Sequence, residues 1–91
     1  MKNIETYTPQ DELFCTYDLG LACALITLNY EFQGISRDNP SKAEFTFKMH
    51  SSLNDVVQKY WLKQLDLDTR TYYDNLKMLK NQLHSSRYGT Q

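Results

Sequence analysis

The chain has no phosphate loop and no dinucleotide-binding glycine cluster: its three glycines, Gly20, Gly34 and Gly89, stand too far apart to cradle a phosphate together. It also lacks a run of about 20 apolar residues, the length a membrane-spanning helix needs. The opening stretch MKNIETYTPQDE has no signal-peptide hydrophobic region. The expectation is a cytoplasmic protein with no membrane partner. Two cysteines, Cys15 and Cys23, are too few for a secreted disulfide framework, and Cys23 sits among apolar residues, so two reduced thiols are expected. With His50 and His84 they form none of the close Cys-Cys or His-His pairs of structural zinc sites, and neither metal nor cofactor is expected. Charge of one sign is missing as well. The formal net charge of −1 excludes the strong positive field that would by itself announce a nucleic-acid-binding protein.

What is present suits one small ordered domain. Hydrophobic residues make up 41% and charged residues 23% of 91 positions, which is enough apolar material for a core and too little charge for a disordered chain. A chain of this length buries a modest share of its surface, so a second independent domain is not expected. The spacing predicts an N-terminal arm over residues 1–13, a domain over 14–84 and a tail over 85–91. Within the domain, Thr16 is the expected helix N-cap, with Asp18 in the first turn facing the positive end of the helix dipole. DLGLACALITLNY then supplies a helix with apolar residues around much of its circumference. Gly20 inside it points to close packing against another backbone.

After Asn29 the period becomes two, with Tyr30, Phe32 and Gly34 on one side and Glu31, Gln33 and Ile35 on the other. In the returning run Ala43, Phe45, Phe47 and Met49 oppose Glu44, Thr46 and Lys48. SRDNPSK between them carries the turn, so an antiparallel hairpin follows. Ser52 and Asp55 have capping-box-like spacing ahead of a helix holding Val56, Val57, Tyr60 and Trp61 and extending toward Leu65. Asp68 or Thr69 opens a last helix whose Tyr72, Leu76, Leu79 and Leu83 form one stripe. The fold expected is α+β: helix, strand, strand, helix, helix, with a two-stranded antiparallel hairpin packed on helices.

The run FCTYDLGLACALITLNYEF, followed by RDNP, AEFTF, VVQKYW and LDTRTYYDNLKMLK, resembles a family of short uncharacterised domains of bacteria, archaea and their viruses. The resemblance rests on Phe14-x-Thr16-x-Asp18-Leu19, the aromatic second strand, Tyr60 with Trp61, and Asp68-x-Arg70 leading into the final helix. It implies a phage or mobile-element setting, with the host cytoplasm as the location if the chain is phage-encoded, and carries over no catalytic residue.

Enzyme constellations are thin. Asp66 and Asp68 near a helix start are explained by capping, and His50 with Ser51 and Ser52 lacks a nucleophile elbow or a third partner, so the chain is expected not to be an enzyme. Tyr60 and Trp61 are adjacent and cannot both face the same core, which makes Trp61 the expected anchor of a protein-binding surface, with Arg70, Tyr73 and Lys77 as its rim. An isolated hairpin leaves open edges, so a homodimer is expected as well. The alternative is nucleic-acid binding through Arg37, Lys42, Lys48, Lys59 and Lys63, with Phe32, Phe45 and Phe47 stacking bases. Alternation puts Phe45 and Phe47 on the face of Met49 and opposite Lys48, which favours them as core.

Overall fold

A computed structural model describes residues 12–38 and 41–88, with side chains through residue 85. The order is β1 (Leu13–Thr16), α1 (Leu19–Thr27), β2 (Phe32–Ser36), β3 (Glu44–Lys48), α2 (Leu53–Trp61) and α3 (Thr69–Tyr88). This is an α+β fold with the expected helices and hairpin plus one further strand. Leu13, placed in the expected arm, belongs to β1, and the other arm residues up to residue 11 lie outside the described residues, as do Asn39 and Pro40 of the turn and 89–91 of the tail.

The sheet has the order β1-β3-β2 and is antiparallel throughout. β3 is central, so the edge that a lone hairpin would expose is filled by β1, which pairs Phe14 with Phe47 and Thr16 with Phe45. Phe45 and Phe47 are fully buried against the helices, each contributing about 1.5–3 kcal/mol of hydrophobic burial. The base-stacking platform of the nucleic-acid reading is therefore core. Phe32 also faces inward, its ring centroid 5.2 Å from that of Phe47.

β2 departs from simple alternation. Phe32 pairs with Phe47 and Ile35 with Phe45, because the register shifts between Phe32 and Gly34. The bulge inserts one residue, so Phe32 and Ile35 share the core face and Gly34 turns to the other, reversing the sides the period alone assigns. Gly34 makes this possible with φ of 138°, a backbone conformation closed to most side chains.

α1 is buried from Leu21 through Leu25 and packs chiefly on α3. The α3 stripe faces it: Leu79 is fully buried, and Tyr72, Leu76 and Leu83 pack around the same core. The two helices are also tied by polar contacts, since Asn75 Nδ2 donates to Thr27 Oγ1 at 3.1 Å and that hydroxyl donates to the Cys23 carbonyl at 2.7 Å. The cap of α1 is Asp18 rather than Thr16. Asp18 has extended backbone angles and its Oδ1 accepts the Leu21 amide at 2.7 Å, while Thr16, the last residue of β1, accepts the Asp18 amide at 3.0 Å. The strand claims Thr16, which moves the cap two residues on.

Candidate functional site

The C-terminal end of α2 and the start of α3 enclose a groove of about 400 Å³ lined by Tyr60, Lys63, Leu65, Leu67, Thr69 and Tyr72. Its geometry begins with how α2 stops. The Lys63 amide donates to the Tyr60 carbonyl at 3.1 Å and the Gln64 amide to the Lys59 carbonyl at 2.9 Å. That pair of bonds is a Schellman motif, and it requires a left-handed residue, here Lys63 with φ of 62°. The chain then runs without helix until Asp68, whose Oδ2 accepts the Thr71 amide at 2.8 Å and the Thr71 hydroxyl at 2.6 Å, starting α3. These bonds hold the Asp68 carboxyl below its ordinary pKa and commit it to capping.

The inner wall is phenolic. The Tyr60 hydroxyl donates to Asp18 Oδ1 at 3.4 Å and the Tyr72 hydroxyl to the Gly20 carbonyl at 3.4 Å. A Cβ at position 20 would fall inside contact distance of the Tyr60 hydroxyl and within 3.4 Å of the Tyr72 hydroxyl. Gly20 thus makes room for two tyrosine tips, not for another backbone as the sequence suggests. Burial, then the nearby Asp18 carboxylate, pushes the Tyr60 phenol up to about 12. Burial raises Tyr72 too.

Around the groove the expected protein-binding residues take distinct places. Trp61 is 57% exposed, the following Leu62 is 62% exposed, and Tyr73 is 53% exposed. The Trp61 ring stands edge-on to Tyr60 at 5.0 Å between centroids, so Tyr60 turns inward and props Trp61 outward. On α3, Lys77 Nζ lies 4.9 Å from the Tyr73 ring centroid, and Arg70 Nε lies 3.5 Å from Asp74 Oδ1. These contacts join Tyr60 to Trp61 and Tyr73 to Lys77 as two separate pairs. Sequence reasoning missed Leu62 and Leu67 and carried the helix toward Leu65, whereas α2 stops at Trp61; the alternation of leucine with Gln64, Asp66 and Asp68 is the signal that points to Leu65 and Leu67 as groove residues.

The basic residues of the alternative reading make different contacts. Arg37 Nη2 donates to the Leu83 carbonyl at 3.0 Å, Lys42 Nζ sits 5.1 Å from the Tyr17 ring centroid, and Lys48 Nζ lies 4.0 Å from Glu31 Oε1. Lys59 and Lys63 are exposed at the end of α2.

A second concavity, about 430 Å³, lies between the ends of α1 and β3. In it Ser52 Oγ is 2.6 Å from the Tyr30 hydroxyl and 3.0 Å from His50 Nδ1, and the same Nδ1 accepts the Ser52 amide at 3.1 Å. The Ser52 hydroxyl makes no cap bond to α2, so the capping box expected with Asp55 does not form. Tyr30 is a third partner that the sequence did not offer. The cluster closes the turn into α2, with Nδ1 as the lone-pair nitrogen of the ring.

Among the described residues no three His, Cys, Asp or Glu side chains gather where they could hold a metal, and no helix is long and apolar enough to cross a membrane. No curated protein and no solved structure matches the chain. The model of one family, Domain of unknown function (DUF5659), matches residues 11–85, and the chain belongs to that family.

Proposed function

We propose that this protein is a non-enzymatic binding module that docks on proteins through the α2–α3 end, and that a second copy of itself is the first such protein. One observation carries the reading: Trp61 and Leu62, consecutive large apolar side chains, stand in solvent at the rigid end of a helix, directly beside a groove with leucine and tyrosine walls. Burying each side chain is worth about 1.5–3 kcal/mol, and buried Trp and Tyr dominate the energetics of interfaces. A knob next to its own groove suits twofold pairing, in which each copy offers both halves of the contact. Tyr73, Lys77 and Arg70 then supply the rim. The resemblance to domains of mobile elements makes an adaptor or inhibitor in a phage or plasmid setting the corresponding biological role.

The test is molar mass by light scattering over a concentration series, at low and moderate salt, with and without a short mixed-sequence single-stranded DNA. The expected result is a dimer that salt leaves intact and that Trp61→Ala weakens roughly thirtyfold or more. A monomer at every concentration would remove self-association. A mass increase only with DNA, lost as salt rises, would move the function to the basic residues.

A further inference from the structure

Toward the C-terminal end of α3, away from the groove at its N-terminal end, a pocket of about 440 Å³ is lined by Leu19, Arg37, Ala43, Lys80, Leu83 and His84. Three elements build it: the first residue of α1, the two ends of the β2–β3 connection, and the later turns of α3. Its chemistry is divided. Leu19, Ala43 and Leu83 are half-buried and pack along the core, whereas Arg37, Lys80 and His84 bring basic groups, and among the described residues no acidic side chain lines it. Lys80 and His84 are four residues apart on α3 and therefore neighbours on one face.

Arg37 holds the key position. Its Nη2 donates to the Leu83 carbonyl at 3.0 Å, which ties the end of β2 to α3 and fixes the guanidinium at the pocket wall. Its Nε is shut off from solvent and has no hydrogen-bond partner among the described residues. That atom is closed off from the pocket as well as from bulk water, so a ligand meets the terminal nitrogens of the guanidinium and Nε senses it only through the shared group. The positive field of the pocket also reaches the core, where the Lys80 charge acts to lower the Cys23 thiol pKa against a larger rise from burial.

We propose that this pocket binds a small carboxylate with an apolar body, the carboxylate meeting Arg37 and Lys80 and the body lying on Leu19, Ala43 and Leu83. Arginine favours carboxylate by the match of its planar N–H groups to two oxygens, and the apolar lining rewards a hydrocarbon body over a bare ion. The site is separate from the α2–α3 groove, so it does not depend on the docking function proposed above.

Hexanoate is the probe, titrated into the full chain and followed by the side-chain Nε–H resonance of Arg37 and the methyl resonances of Leu19, Ala43 and Leu83. The expected result is one saturable transition moving all four, absent with 1-hexanol, and weakened roughly fivefold by Lys80→Gln, an exposed substitution that leaves the core intact. Equal binding of hexanol would overturn the role of the basic groups. Inorganic phosphate moving the Arg37 resonance at lower concentration than hexanoate would overturn the apolar-bodied ligand. No saturable change at Arg37, or the same affinity in Lys80→Gln, would overturn the site.

Discussion

Replacing Asp18 with alanine tests whether this carboxylate links α1 to the α2–α3 groove. Two bonds disappear at once. The shorter, 2.7 Å to the Leu21 amide, is an N-cap bond, and such caps are worth about 1 kcal/mol on loss to alanine. The longer, 3.4 Å from the Tyr60 hydroxyl, is stretched beyond the usual range, so about 0.5 kcal/mol is the appropriate share. The sum of about 1.5 kcal/mol corresponds to a fall in Tm of about 6–12 °C for a domain of this size. Urea unfolding gives the free energy, with an unchanged m-value showing that the transition remains comparable. Asp18→Asn keeps a side-chain oxygen for both bonds and should recover most of the loss. Tyr60→Phe should cost about 0.5 kcal/mol in the parent and almost nothing in Asp18→Ala, because the two residues share one bond. If Asp18→Ala changes stability by less than about 0.5 kcal/mol, or costs less than Thr16→Ala, the cap assignment is wrong.

Lys63→Gly relieves a left-handed residue that is neither Gly nor Asn, and should stabilise the fold by about 1 kcal/mol in urea unfolding; an unchanged or lower midpoint would contradict the strain. Gly34→Ala meets no atom within 4 Å, yet the positive φ should cost about 1–3 kcal/mol, and a neutral result would mean that the bulge is absent. Cys15 is exposed while Cys23 is buried with its thiol pushed up to about 11, so a maleimide at neutral pH should label one thiol quickly and the second only on unfolding; two fast thiols would refute this burial. The Tyr60 phenol is raised from 10.0 to about 12 in the fold. Its contribution to stability is therefore complete below pH 10 and is lost as pH rises through 12, and Tyr60→Phe should show a shallower alkaline loss in urea midpoints than the parent. Identical slopes would remove the shift.

The parts of the fold that were legible from sequence are those in which one face decides the pattern. Tyr72, Leu76, Leu79 and Leu83 recur at the helical period because α1 lies along that side of α3, and Phe45 and Phe47 alternate because β3 is covered on one face. β1 hid its pattern. Phe14 and Thr16 point inward, but Leu13 and Cys15 on the open face are also apolar, so LFCT shows no alternation. The bulge at Gly34 misled the phase of β2 by one residue, which exchanges every side chain beyond it. Local capping was misread where a distant residue competes: Tyr30 draws the Ser52 hydroxyl away from α2, and Tyr60 helps define Asp18.

Of the candidate site, Trp61 was readable from its adjacency to Tyr60, since two neighbouring helix residues cannot share one inward direction. The groove beside it was not, because Leu65 and Leu67 come from a segment without helix. The basic pocket was less readable still: Arg37 and Leu83 are joined by a bond across 46 residues.

The strand order also sets a sequence of assembly. β2 and β3 are joined by a short connection and can meet early, whereas β1 reaches β3 only across a loop that contains α1 and β2. Closing the longer loop costs more chain entropy, and β1 offers no more paired residues in return than β2 does, four in each seam. β1 is consequently expected to dock last and to leave first. Its departure would uncover one side of β3 while the β2 pairing and the helices stay in place, so amide hydrogens bonded across the β1–β3 seam should exchange faster than those across the β2–β3 seam. Such a difference would mean that the central strand gains one neighbour early and the other late.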